Sequence, residues 1–314
     1  MQTEARPGVK LLGLGKALPK KRITNEDMSR LTDTSDEWIR TRTGICARRF
    51  TSGDECDTTL AADAALAAIA DAGVKKEEIG LLITATTSPD HTVPSVSCLV
   101  QERIGLPRGI PAMDLNAACS GFIYGLETAA ALMRDIGIRY ALVIGTEELS
   151  RLLDMEDRTT CVLFGDGAGA AVITLSEACS SFFHLGADGD GRAITARYGE
   201  KLSMEGRRVF RFAVRIIPEE LKLLEERSGV SVEEIDHIVC HQANERIIEH
   251  VRNELGLPYE KFFRNLSRYG NTSAASIPLA LAEMKEQGLL KAGSRIFCVG
   301  FGAGLTWGSA YLEL

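Results

Sequence analysis

No run of about 18 uninterrupted apolar residues occurs in this chain, which argues against a membrane-spanning helix. The opening stretch 1–8 is polar and lacks the apolar region of a secretory leader, so no export signal is expected there. The eight cysteines (46, 56, 98, 119, 161, 179, 240 and 298) include no Cys-x-x-Cys pair and no zinc-type grouping, and a reducing, cytoplasmic setting is the expectation. Gly13-Leu14-Gly15 lacks the third glycine of a dinucleotide fingerprint, and no Gly-Lys-Ser/Thr phosphate loop exists. Asp188-Gly189-Asp190-Gly191 opens like a calcium loop, but no glutamate closes it at the required spacing, which leaves a turn. Cys240-His241 invites a metal reading, yet neighbouring residues of a strand point to opposite faces, so no metal is expected. Basic residues number 36 against 43 acidic ones, and the net charge of -7 disfavours a general nucleic-acid binder.

What is present begins with an internal duplication. The 314 residues, 45% of them hydrophobic, exceed what one ordinary core holds, so two domains are expected. Ala72-Gly73-Val74-Lys75-Lys76-Glu77-Glu78-Ile79 is echoed by Ser228-Gly229-Val230-Ser231-Val232-Glu233-Glu234-Ile235, each leading from a helix into an apolar strand. Asn116 and Gly145 are separated by the same interval as Asn271 and Gly300, with a small-residue helix start, an amphipathic helix and an apolar strand between them in both. Phe164-Gly165-Asp166-Gly167-Ala168-Gly169 has its counterpart in Phe301-Gly302-Ala303-Gly304. Two α/β halves follow, 1–175 and 176–314, that stack pseudo-symmetrically and bring their duplicated helix starts face to face.

Three segments carry reactive side chains. In Asn116-Ala117-Ala118-Cys119-Ser120-Gly121 a strand over 110–115 gives way to a helix over 121–134, on which Phe122, Leu126, Ala129, Ala130 and Met133 recur at helical spacing. A helix start at Cys119 would favour thiolate and lower its pKa, although a buried structural cysteine fits the motif alone equally well. Ile238-Val239-Cys240-His241-Gln242-Ala243-Asn244 ends an apolar run in a histidine and two amides. Gly270-Asn271-Thr272-Ser273-Ala274-Ala275-Ser276 places an asparagine on a turn opening a helix over 277–287, where an ordinary helix cap is the bland alternative. Together the three supply a nucleophile, an imidazole and an amide.

These segments, with Thr34-Ser35-Asp36-Glu37-Trp38-Ile39-Arg40-Thr41-Arg42-Thr43-Gly44-Ile45, resemble the β-ketoacyl-acyl carrier protein synthase III family of the thiolase superfamily, from about residue 9 to the end of the chain. The resemblance implies a thiolase-like α/β fold, a duplicated αβαβα five-layered sandwich, and a homodimer. It implies Cys119, His241 and Asn271 as the catalytic triad, with the backbone N–H groups of Cys119 and Ala303 as the oxyanion hole. The implied reaction transfers an acyl group from acyl-CoA to Cys119 and condenses it with malonyl-acyl carrier protein, which loses CO2; CoA enters as substrate, with no separate cofactor. Asn271, which cannot change protonation state, points to the chain-initiating class, because elongating relatives carry a second histidine there.

By the same resemblance Trp38 and Arg158 sandwich the CoA adenine, Arg42 and Arg207 contact phosphate, and Asn244 contacts the pantetheine arm. Arg246 and Arg211 are implied in docking the acidic carrier protein, within a wider basic group of Arg207, Arg208, Arg215 and Arg252 whose last two fit a solvated helix face as well. Val93 stands where many relatives carry a phenylalanine that closes the partner's acyl pocket, and with Leu149 it is expected to set primer length. The order Cys, His, Asn also occurs in papain-like proteases, but their Cys-Trp signature and disulfides are missing. A non-catalytic partner subunit would lack Cys119. A related acyltransferase, or a quinolone- or polyketide-type synthase, stays open as the alternative.

Overall fold

Among the described residues nine of thirteen strands sort into two main sheets separated by helices, and the remaining four pair off as two small two-stranded sheets. The computed structural model describes residues 7–314; the polar opening stretch lies mostly on 1–6, outside the described residues. The first sheet holds β1 (Gly8–Ala17), β2 (Ile79–Ala85), β3 (Ala112–Leu115), β4 (Tyr140–Glu147) and β5 (Gly167–Ser176), ordered β1-β5-β4-β2-β3. The second holds β6 (Ser181–Ala187), β7 (His237–Cys240), β8 (Arg295–Gly302) and β9 (Thr306–Glu313), ordered β6-β9-β8-β7. In each sheet one parallel pair, β2 with β4 and β7 with β8, is followed by two antiparallel pairings. The second sheet thus repeats four strands of the first in the same order and sense. β3 is added at the first sheet's edge.

The helices used below are α1 (Asp36–Thr43), α2 (Asp57–Ala72), α3 (Gly121–Ile136), α4 (Gly206–Ser228), α5 (Glu245–Leu255) and α6 (Ser276–Glu286). β4 is buried on both faces and reads as an apolar run over 141–145, as a strand covered on both sides does, before Thr146 and Glu147 close it. Its inner cover is shared. Phe122, Leu126 and Met133 of α3 and Ile277, Leu281 and Met284 of α6 form one core with Ile83 and Val143 of the first sheet and Val239 and Cys298 of the second. α2 covers the first sheet's outer face and α4 with α5 the second's, giving five layers, helix–sheet–helix–sheet–helix.

The duplicated helix starts cross over between halves. A Cβ at Gly145 of β4 would lie 2.2 Å from the Ala274 carbonyl oxygen, and one at Gly300 of β8 would lie 3.0 Å from the Ser120 α-carbon. Each turn therefore packs onto the other half's strand where only glycine leaves room.

Candidate active site

Cys119 sits on the tight turn Ala118–Ser120 just ahead of α3, and Asn271 just ahead of its twin, Ser273–Ala275, which leads into α6. Ala118 and Ser273 both adopt a left-handed φ of 46°, a cost that neither residue type accepts without local support. The support is the same in both turns. The Ala118 N–H donates to Asn116 Oδ1 (3.2 Å) and the Ser273 N–H to Asn271 Oδ1 (2.9 Å). For Asn271 this fixes which end of the amide is oxygen, leaving Nδ2, which has no protein acceptor among the described residues, as a donor on the cavity wall.

His241 follows the last residue of β7, its N–H donating to the Val299 carbonyl (2.8 Å). Its ring packs edge-on against Phe301, centroids 5.2 Å apart, and Nδ1 lies 2.7 Å from Ser276 Oγ. Burial drives its pKa down to about 3, so the imidazole is neutral at any working pH. Cys119, His241, Asn271 and Ala303 line one cavity of about 960 Å³ fed by both halves. A Cβ on Gly302 would come 2.7 Å from the Cys119 nitrogen and 3.2 Å from Sγ, so the backbone leading into Ala303 abuts the thiol because no side chain intervenes.

The thiol itself departs from expectation. The α-helix begins at Gly121 and Cys119 is buried, and burial pushes its thiol up to about 12. Hydrogen bonding from Ser273 pulls the other way, and the nearby Glu147 carboxylate adds to the rise. Burial thus favours the thiol, against the thiolate expected from the helix start. Glu147 and Asp57 are fully buried carboxylates beneath the site, both raised chiefly by burial. Ser88 Oγ (2.5 Å) and the Thr87 N–H (3.1 Å) donate to Glu147, and Thr146 Oγ (2.7 Å) to Asp57.

Trp38, Arg42, Arg207, Arg211, Asn244 and Arg246 line the same cavity. Arg158 does not, and it is not poised as half of an open clamp. Its guanidinium lies 5.4 Å from the Trp38 ring centroid and pairs with Asp33 (3.2 Å), whereas an intervening base needs roughly 7 Å, two contact distances. Arg42 stacks on the same ring at 4.8 Å. The Asn244 amide is also engaged: its Oδ1 caps α5 by accepting the Arg246 N–H (2.9 Å), and its Nδ2 donates to the Arg42 carbonyl (3.2 Å). The basic group narrows, because Arg208 pairs with Asp190, Arg215 with Glu219 (3.8 Å) and Arg252 with Glu249 (2.9 Å). Arg207, Arg211 and Arg246 carry no such partner among the described residues. Leu149 lines the cavity and is buried; Val93 lies outside it, 80% exposed.

Sequence reasoning passed over Glu147, Asp57 and the roles of Ser273 and Ser276. An acidic residue closing a strand as apolar as β4 was the one signal in reach for Glu147.

A family model described as 3-oxoacyl-[acyl-carrier-protein] synthase III matches residues 113–189, and the model of its C-terminal part matches 225–314. The β-ketoacyl-[acyl-carrier-protein] synthase III of Clostridium acetobutylicum is 50% identical over 326 residues, covering 97% of this chain and 98% of that protein. The crystal structure of 3-oxoacyl-[acyl-carrier-protein] synthase III from Aquifex aeolicus superposes with a TM-score of 0.94 at 44% identity, covering 98% of this chain and 100% of that one. The priming β-ketosynthase of the R1128 polyketide biosynthetic pathway superposes at 0.93 with 33% identity, covering 100% and 98%.

Proposed function

This chain belongs to the 3-oxoacyl-[acyl-carrier-protein] synthase III family, and from that premise we propose that it carries out the initiating condensation of type II fatty acid synthesis through an acyl-Cys119 intermediate. One observation carries the assignment of residues: a buried thiol faces a neutral imidazole and an amide in one cavity, and the amide is tied so that its N–H end is free. In the first half-reaction the sulfur of Cys119 attacks the acyl-CoA thioester, the tetrahedral oxyanion rests on the N–H groups of Cys119 and Ala303, and CoA leaves with the thiol proton. In the second, malonyl-acyl carrier protein loses CO2, His241 and Asn271 donate to the enolate oxygen, and the carbanion attacks the acyl group, expelling Cys119 as a thiolate that takes up a proton from solvent to restore the thiol. The chemistry needs no cofactor beyond the CoA thioester that is consumed. Incubation with radiolabelled acetyl-CoA and malonyl-acyl carrier protein tests it, scoring labelled protein and ketoacyl product. Label on the protein but no carrier-bound product would favour the related acyltransferase or polyketide-type reading.

The CoA would enter past Trp38, Arg42 and Arg207, with Arg158 lifting from Trp38 to admit the adenine and Asn244 at the pantetheine arm. The division into halves 1–175 and 176–314 belongs to the same proposal, supported by the matching strand orders. A second copy of the chain would cover β3, a sheet edge with Met113 partly exposed, and would receive Val93. Among the described residues no helix is long and apolar enough to cross a membrane, and the cytoplasm, where carrier protein and CoA thioesters meet, is the proposed location.

Two expected outcomes concern carrier docking and primer length. Arg246→Glu raises the KM for malonyl-acyl carrier protein by about tenfold and leaves that for acyl-CoA nearly unchanged, since like charge then meets an acidic partner. Added salt mimics it, screening within about 10 Å at 0.1 M; equal damage to both substrates would remove Arg246 from carrier docking. Val93 is small where a phenylalanine would close the pocket, so kcat/KM for a four-carbon or branched acyl-CoA at least equals that for acetyl-CoA, each added methylene contributing about 0.8 kcal/mol. Val93→Phe selectively reduces the longer substrate. A strict acetyl preference in the unmodified protein would overturn this.

A further inference from the structure

Ser276 opens α6 with its side chain buried, and its hydroxyl lies 2.7 Å from His241 Nδ1. A neutral imidazole carries one N–H and one bare nitrogen, so the partner of Nδ1 decides whether His241 offers the cavity a donor or an acceptor. Two proton arrangements satisfy that contact. In the first, Nδ1–H donates to Oγ, and the serine proton then needs an acceptor of its own. Among the described residues Ser276 Oγ has no other hydrogen-bond partner, the carbonyls of the preceding turn included, and a buried hydroxyl proton left without an acceptor is costly. In the second, Nδ1 is bare, the serine donates to it, and every proton in the pair is placed.

The geometry points to Ser276 as a positioning residue that holds His241 in the Nε2–H tautomer, with that N–H turned toward the cavity beside the Asn271 amide. Nε2 has no protein partner among the described residues, and His241 lines the cavity wall. The strong downward shift from burial agrees, since it removes the doubly protonated ring from consideration. One short segment therefore prepares both donors: Asn271 by giving its oxygen to the Ser273 N–H, and His241 by receiving the Ser276 proton. With its bare nitrogen occupied by serine, His241 is a donor and cannot be the base that takes the Cys119 proton. This inference rests on the condensing reaction proposed above for what the two donors do, but not for the tautomer itself.

The test is nitrogen NMR on protein labelled with 15N-histidine, the His241 signals identified among the five histidines by their loss in His241→Ala. The expected spectrum shows Nε2 protonated and Nδ1 bare throughout about pH 5 to 9; a proton on Nδ1 would overturn the proposal. Ser276→Ala is expected to give a mixture of tautomers and a decarboxylation rate for malonyl-acyl carrier protein lower by about tenfold to a hundredfold, with acyl transfer to Cys119 within about twofold. Ser276→Thr, which keeps the hydroxyl, restores both. An unchanged tautomer and unchanged decarboxylation in Ser276→Ala would rule the serine out. If Ser276→Ala does not fold, the unmodified protein and Ser276→Thr still decide the tautomer. If the tautomer responds to Ser276→Ala and decarboxylation does not, the hold of serine on the ring stands, and it is the assignment of His241 to the enolate that falls.

Discussion

Cys119→Ala, incubated with an acyl-CoA, gains no acyl mass, and its condensation rate falls by a factor on the order of ten thousand or more. The expectation rests on the cavity wall: of the eight cysteines only Cys119 lines it, and Cys161, Cys240 and Cys298 are buried elsewhere. The hydroxyl of Ser273 hydrogen-bonds the thiol, but an alcohol is a far weaker nucleophile than a thiol and has no base beside it here. The variant should fold, because alanine removes one buried sulfur from a site already lined by small residues. Intact-protein mass spectrometry gives the answer. An acyl-sized increase on the alanine variant would show that another group carries the acyl chain, and the intermediate proposed here would be wrong.

His241→Ala and Asn271→Ala each lower malonyl decarboxylation by about a hundredfold or more, while acyl transfer from CoA to Cys119 changes by no more than a few fold. Both side chains present N–H groups to the same region, and neither is charged: the imidazole is held neutral by burial and the amide does not titrate in the working range. They can stabilise charge that develops on an oxygen but add little to the attack of sulfur on a thioester. Separate assays of the half-reactions, with labelled acetyl-CoA and with labelled malonyl-acyl carrier protein, measure the split. Full decarboxylation with lost acylation in either variant would reverse its role.

The three reactive residues could be found in the sequence because each stands at a strand or loop end that leads into a helix, and the duplication told which turns face each other. The order of the strands came only with the fold, whereas the paired glycines at 145 and 300 came from the same echo. The thiol pKa did not, since a helix start can be read from spacing while burial cannot. Nor did the closed Arg158–Trp38 stack or the pairing of Arg208 with Asp190, which join segments far apart in the chain and leave no local pattern. Ser276 was visible only as the end of a motif, because its partner is 35 residues away, just past the end of β7. Glu147 and Asp57 gather hydroxyl and backbone donors from Thr86, Thr87, Ser88 and Thr146, ordinary residues that only the fold turns into one network.

The reciprocal fit at Gly145 and Gly300 has an implication for how such a site is built. Each half carries the mould for the other's turn, and both turns hold an asparagine against their own backbone, yet only the first carries a thiol, Cys119, where the second has Ala274. Two turns of one backbone shape, docked against each other's strand, hold the thiol and the Asn271 amide in register. Within that frame the choice of a few side chains is enough to split labour between an attacking group and a group that tames negative charge, with no separate architecture for either.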